Sequence, residues 1–265
     1  MNTFQPGAAS IAASTVELSV SCRNLIDADI FSKSDPVVVL FTKPTAGGNW
    51  IEYGRTETID NNLNPDFVKK FEMDYFFEER QFLKFEVYDV DSSSRDLRDH
   101  DFLGFMECTL GEIVSGGKFE RPLQGHPRDC GKIIIYAEEL STCTEELTMQ
   151  FSGRNLDRKD WFGKSDPFLA FYRANEDGSF TVVHRTEYIK CTLKPRWKSF
   201  TISAQKLCSG DYSRSLLVKC IDWNQSGKSP QQDKSYYLVS SKMNSVVDLR
   251  SKNNSQHQFT DDFAE

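Results

Sequence analysis

The chain changes between apolar and polar positions in short, regular runs. Val16-Glu17-Leu18-Ser19-Val20-Ser21 and Leu83-Lys84-Phe85-Glu86-Val87-Tyr88 alternate residue by residue, the period of a strand with one face buried and the other solvated. Val37-Val38-Val39-Leu40-Phe41 is apolar throughout, as suits a strand covered on both faces. Leu147-Thr148-Met149-Gln150-Phe151 and Phe168-Leu169-Ala170-Phe171-Tyr172 take the same places further along. Turn formers separate such runs, among them Thr45-Ala46-Gly47-Gly48 and Asn175-Glu176-Asp177-Gly178. Many short strands with regular turns predict an all-β fold of antiparallel sandwich type.

The pattern occurs twice. Asn24-Leu25 recurs as Asn155-Leu156 at an offset of 131, and Gly54-Arg55-Thr56-Glu57 as His184-Arg185-Thr186-Glu187 at 130. Leu63-Asn64-Pro65 returns as Leu193-Lys194-Pro195, and Phe85-Glu86-Val87-Tyr88-Asp89-Val90-Asp91 as Val218-Lys219-Cys220-Ile221-Asp222-Trp223-Asn224. Solenoid units are typically ~20–50 residues, so a repeat of this length marks tandem domains. The expected partition is a disordered tail over 1–15, a first sandwich with linker over 16–130, a second over 131–250 and a disordered tail over 251–265. The linker is expected where Pro122 and Pro127 stand, with Lys132-Ile133-Ile134-Ile135-Tyr136 opening the second domain.

Chemistry concentrates in one repeated signature, Asp29-Ile30-Phe31-Ser32-Lys33-Ser34-Asp35-Pro36 and Asp160-Trp161-Phe162-Gly163-Lys164-Ser165-Asp166-Pro167. Each carries two aspartates six residues apart, and carboxylate oxygens are the preferred ligands of a hard cation such as Ca²⁺. Ile30, Phe31, Trp161 and Phe162 follow the first aspartate of each pair. On a loop tip they are candidates for insertion into lipid; the alternative is that they fold back into a core or a domain interface.

Composition narrows the classes. A net charge of −7 argues against nucleic acid and against passive attraction to anionic lipid, so a bound cation would have to reverse the local sign. No stretch reaches the roughly 18 apolar residues of a membrane span. Seven cysteines without a C-x-x-C pair read as reduced, mostly buried thiols of a cytosolic protein. The four histidines show no metal-ligand or triad spacing. Gly163-Lys164-Ser165 and Gly227-Lys228-Ser229 lack the earlier glycine of a phosphate loop, and Asp89 to His100 lacks the glycine and glutamate of an EF-hand. The chain is expected not to be an enzyme.

The repeated signatures resemble the C2 module, an eight-stranded β-sandwich that binds Ca²⁺ at three loops on one end. The tandem order, with Cys108-Thr109-Leu110-Gly111-Glu112-Ile113-Val114 and Ala137-Glu138-Glu139-Leu140, is similar to the copine family over about Val16 to Gly227. Copines carry a further domain similar to von Willebrand factor A, to which no part of this sequence corresponds. The resemblance implies a metal set of Asp29, Asp35, Asp89, Asp91 and Asp101 in the first unit, with Asp96 and Asp99 as alternatives to Asp101. In the second it implies Asp160, Asp166, Asp222 and Asn224. The final aspartate has no ungapped counterpart there, since Pro230 stands in its place and Asp233 is three residues away. After position 228 the sequence diverges, which leaves open whether the second sandwich has its last strand. The implied function is calcium-dependent binding to anionic, phosphatidylserine-type membranes, with Ca²⁺ as cofactor and movement from the cytoplasm to the plasma membrane or other membranes when calcium rises. The competing expectation is a calcium-independent protein-interaction adaptor.

Overall fold

The computed structural model describes residues 13–28, 32–44, 46–141, 143–156 and 165–223, and the backbone of 234–239 and 247–250. The first unit contains β1 (Ala13–Arg23), β2 (Pro36–Lys43), β3 (Ile51–Arg55), β4 (Phe71–Phe76), β5 (Phe82–Asp89), β6 (Asp101–Thr109), β7 (Lys118–Pro122) and β8 (Lys132–Glu139). They form two antiparallel sheets, in the orders β4-β1-β8-β7 and β3-β2-β5-β6. Alternation decides what lies between them. Leu18 and Val20 of β1, Val38 and Leu40 of β2, and Leu83, Phe85 and Val87 of β5 all point into one core. Helix α1 (Leu110–Val114) closes one edge, and its start explains the Thr109-to-Glu112 motif. Thr109 accepts the Glu112 N–H, while the Glu112 carboxylate takes back the Thr109 N–H at 2.7 Å, a capping box.

The run over 132–139 does not open the second unit. As β8 it pairs with β1 from Val16↔Glu139 to Arg23↔Lys132 and with β7 on its other side. Ile133 and Ile135 are fully buried in the first core. Without this strand, β1 and β7 would have no partner between them and the core no wall there. The proline-bearing stretch is therefore the β7–β8 return loop, and its Leu123 and Cys130 are buried with that core. Gly131, at φ +83, closes the loop where a Cβ would stand 2.4 Å from the Arg23 and Asn24 carbonyls; only glycine fits.

The second unit contains β9 (Glu146–Met149), β10 (Phe151–Arg154), β11 (Pro167–Ala174), β12 (Phe180–Arg185), β13 (Phe200–Ser203), α2 (Ala204–Cys208), β14 (Ser215–Asp222), β15 (Lys234–Val239) and β16 (Val247–Arg250). Its main sheet, β12-β11-β14-β15, repeats β3-β2-β5-β6. Trp197 is wholly buried where the first unit has Phe67, and its indole donates to the Pro167 carbonyl at 3.1 Å. The backbone beyond 228 does contain strands. β15 pairs antiparallel with β14, and β16 lies parallel to β10, unlike the antiparallel β1–β8 pair.

The units meet sheet to sheet. The outward face of β1 carries Glu17 and Ser19, which alternation alone assigns to solvent, yet both are buried. Against them lies β11, where Arg173 is 1% exposed. The Arg173 guanidinium reaches Glu17 at 3.1 Å and Glu138 at 3.3 Å, and Arg214 holds Glu138 at 2.7 Å. Beside this network Val68 of the first unit packs on an apolar layer that includes Ala170, Tyr172 and Leu217. Glu17 Oε2 and Arg173 Nε nevertheless have no hydrogen-bond partner among the described residues, so this polar contact constrains orientation more clearly than it adds stability.

Candidate functional site

Three neighbouring strands of the first unit end at the same level. Pro36 of β2 lies opposite Asp89 of β5, and Asp89 lies opposite Asp101 of β6. This register carries residues far apart in sequence to one tip of the sandwich. There the Asp35 N–H donates to Asp89 Oδ1 at 2.5 Å, while Asp35 Oδ1 accepts the Asn61 N–H at 2.6 Å. Asn61 takes a left-handed φ of 52, which asparagine tolerates better than most residues. Asp91 Oδ2 accepts the Asp101 N–H at 3.1 Å.

The long loop before β6 sorts its own carboxylates. Asp96 caps a 3-10 turn and pairs with Arg98 at 2.5 Å. Hydrogen bonds from the Arg98 side chain and backbone hold the Asp96 carboxyl down at about 2. Asp99 Oδ2 accepts the Ser94 hydroxyl at 2.6 Å. His100 ties the loop to the strand end: its Nδ1 accepts the Asp91 N–H at 3.3 Å, and its Nε2 lies 3.0 Å from the Ser94 carbonyl. Asp96 and Asp99 thus serve the loop, whereas Asp101 stands opposite Asp89.

The second unit repeats the core of this arrangement atom for atom. The Asp166 N–H donates to Asp222 Oδ1 at 2.6 Å, and Asp166 Oδ1 accepts the Cys191 N–H at 2.6 Å. Cys191 sits at φ 55, the counterpart of Asn61. Past this point the units diverge. The described pairing of β14 with β15 stops at Cys220↔Lys234, short of the level of Asp222. Tyr188 and Trp223 stack beside this tip with ring centroids 4.7 Å apart.

Several sequence candidates fall outside the described residues: Asp29, Asp160 and Asn224 among the ligands, and Ile30, Phe31, Trp161 and Phe162 among the insertion residues. The structure brings Asp35, Asp89, Asp91 and Asp101 to one tip and Asp166 and Asp222 to the other. Among the described residues, no group of three or more His, Cys, Asp or Glu side chains stands in metal-ligating arrangement. The carboxylates of Asp35, Asp89, Asp91 and Asp101 are oxygen donors, the ligand type that calcium prefers.

The remaining repeated motifs prove to be scaffold. Thr56 Oγ1 accepts the Val38 N–H and Thr186 Oγ1 the Leu169 N–H, both at 2.9 Å. Glu57 accepts the Val68 N–H and Glu187 the Lys198 N–H. The Leu63 carbonyl takes the Leu25 N–H, and that of Leu193 takes the Leu156 N–H. These bonds staple the loop holding Asn61 or Cys191 onto the sandwich. Lys70 is half-buried beside this loop. Its Nζ donates to the Phe67 carbonyl at 3.1 Å, and burial pulls it down to about 7, with Glu17 opposing and Arg173 reinforcing the shift. Sequence reasoning missed Glu17, Lys70 and Arg173. The one signal available was the unbroken apolar run ending at Tyr172, which marks β11 as covered on both faces.

None of the seven cysteines forms a disulfide among the described residues; Cys22, Cys130 and Cys208 are buried, Cys108, Cys143 and Cys220 half-buried, and Cys191 exposed. No helix among the described residues is long and apolar enough to cross a membrane.

The C2 domain family profile matches residues 15–124 and 148–252, which together make up most of the chain. Among solved structures, a single C2 domain of plant Extended Synaptotagmin 1 aligns at 21% identity and a TM-score of 0.39, covering 47% of this chain and 92% of that one. The calcium-bound pair of C2 domains of Extended Synaptotagmin 2 aligns at 16% identity and a TM-score of 0.37, over 86% of this chain and 84% of that one. A C2 domain of BON1 aligns at 22% identity and a TM-score of 0.39, over 51% of this chain and all of that one, at 100%.

Proposed function

This chain belongs to the C2 domain family, and we propose that it is a calcium-dependent phospholipid-binding protein of copine type. One observation carries the reading. Two units more than a hundred residues apart build the same clamp, in which Asp35 and Asp89, or Asp166 and Asp222, share a backbone hydrogen bond at a loop tip. Aspartates gathered at one tip repel one another through their negative charge, a cost that a divalent cation bound among them would remove.

Asp29, Asp35, Asp89, Asp91 and Asp101 would hold calcium in the first unit, and Asp160, Asp166, Asp222 and Asn224 in the second. Bound calcium supplies positive charge at the tip and coordination positions for lipid phosphate or serine carboxylate oxygens. The protein's own part is positional. The β2–β5–β6 register sets the spacing of the aspartates, and Asn61 and His100 fix the loops that carry them. Ile30, Phe31, Trp161 and Phe162 would enter the lipid once the charge is reversed. The first unit, with the fuller acidic set, is the stronger sensor. Such a protein works without catalysis, leaving the cytoplasm for the plasma membrane or other membranes as calcium rises.

Co-sedimentation with phosphatidylserine vesicles, in calcium and in chelator, tests this. Pelleting in calcium alone is the expected result. Equal pelleting in both conditions sinks the calcium gate, and none in either, with protein partners still captured in chelator, makes the chain an adaptor.

A further inference from the structure

The charged contacts between the two units fall at two levels along the strands, and those two levels come in the same order in both units. β1 runs toward its aspartate tip, reaching it just beyond Arg23; β11 starts at its tip, directly after Asp166. Nearest the tips, Arg185 of β12 donates to the Asp66 carbonyl at 2.7 Å, and its guanidinium lies 3.7 Å from Glu57. Asp66 is level with Ser21, close to the tip end of β1, and Arg185 is level with Ala170, close to the tip end of β11. Farther from the tips, Glu17 meets Arg173 at 3.1 Å. On that same level Glu138, opposite Glu17, is reached by Arg214 at 2.7 Å, while the Ser179 hydroxyl, in the turn after β11, donates at 2.7 Å to Tyr136, opposite Ser19, so the two sheets cross obliquely. Tip lies against tip, with the Glu17 and Arg173 level behind it in both units.

We propose that these contacts clasp the two sandwiches into one rigid body whose two aspartate tips face the same way and engage a single lipid surface together. The inference rests on the membrane reading above for the identity of the surface, and on the interdomain geometry alone for the clasp. Glu17 and Arg173 are its pivot. Both are almost completely removed from solvent, and separation would break their pairing and expose the Val68 contact with the second unit's apolar layer. The connection between the units, over 140–145, is short enough to keep them neighbours without the clasp. The clasp therefore contributes alignment, not proximity. Two aligned tips make the second lipid contact an intramolecular event, which raises avidity by about 10²–10⁴-fold over one tip where geometry allows both to engage.

The test has two readouts on the full chain. Small-angle X-ray scattering needs no lipid: the wild-type profile is expected to match the clasped arrangement, and Arg173→Glu, which sets three carboxylates against one another, to enlarge the particle. Because Arg173→Glu could unfold the protein, Arg214→Ala and Arg185→Ala, which loosen the Glu138 and Asp66 contacts singly, are measured beside it with circular dichroism as the folding check. An extended wild-type profile, or folded variants all indistinguishable from wild type, overturns the clasp. The second readout is binding to phosphatidylserine vesicles in calcium. Asp89→Asn and Asp222→Asn, each disabling one tip, are expected to lower vesicle affinity by roughly 10²-fold apiece. If Asp222→Asn binds as wild type does, joint engagement is wrong while the membrane reading stands. If wild type binds no vesicle, the membrane reading and joint engagement both fall, and scattering still decides whether the clasp exists.

Discussion

Asp89 Oδ1 accepts the backbone N–H of Asp35 at 2.5 Å. This bond gives one aspartate two duties. It anchors the strand entrance after the first loop, and it stations a buried carboxylate, 1% exposed, at the centre of the acidic tip.

The two duties separate by substitution. Asp89→Asn keeps an acceptor for the Asp35 N–H and removes the charge. We expect it to fold with nearly wild-type stability and to bind vesicles in calcium roughly 10²-fold more weakly. Asp89→Ala removes both and should cost roughly 1–3 kcal/mol of stability. Thermal unfolding alongside pelleting checks this; an asparagine variant that pellets normally with calcium would show that the residue is structural only.

Within the loop before β6 the structure separates three aspartates that the sequence leaves equivalent. Asp96 is neutralised by Arg98 and Asp99 is held by Ser94, whereas Asp101 stands opposite Asp89. Asp101→Asn is expected to raise the calcium concentration needed for vesicle binding severalfold, and Asp96→Asn to leave it unchanged. Calcium titrations of the two variants decide, and the reverse ranking would move the ligand into the turn.

Lys70 makes interface stability depend on pH. Burial pulls its folded-state value to about 7, below the ordinary 10.5. Between those values the unfolded chain carries a proton on Lys70 that the folded chain has shed. Stability therefore rises as pH climbs through that window, and below it the folded state bears the cost of a buried ammonium. Urea unfolding at about pH 6 and about pH 9 should show this increment in wild type and not in Lys70→Met. An identical pH response in both would place Lys70 in solvent.

Thiol reactivity follows burial. Burial pushes Cys22 and Cys108 up to about 12, and Cys191 is exposed. With a thiol reagent on native protein, Cys191 should be modified first, with Cys22, Cys130 and Cys208 following only on unfolding. Peptide mapping over time checks the order; early modification of Cys22 would mean that the β1–β8 sheet opens.

Period-two alternation, the long repeat and the paired aspartates are written locally, so the sequence by itself determined the sandwich class, the tandem organisation and the aspartates to examine. Alternation and the paired aspartates depend on residues a few positions apart, and the repeat on matching one stretch of the sequence with another, all of which a linear reading can compare. Only the tertiary structure decided three further matters. It placed 132–139 in the first sandwich, because an isoleucine-rich strand fits either neighbour until β1 and β7 are seen to need a partner. It set Asp101 apart from Asp96 and Asp99, because strand register across β5 and β6 is a long-range property. It turned the polar face of β1 into an interface, because alternation reports that one face differs from the other and not what covers it. A glutamate in that position reads the same beside water or beside a buried arginine 156 residues away.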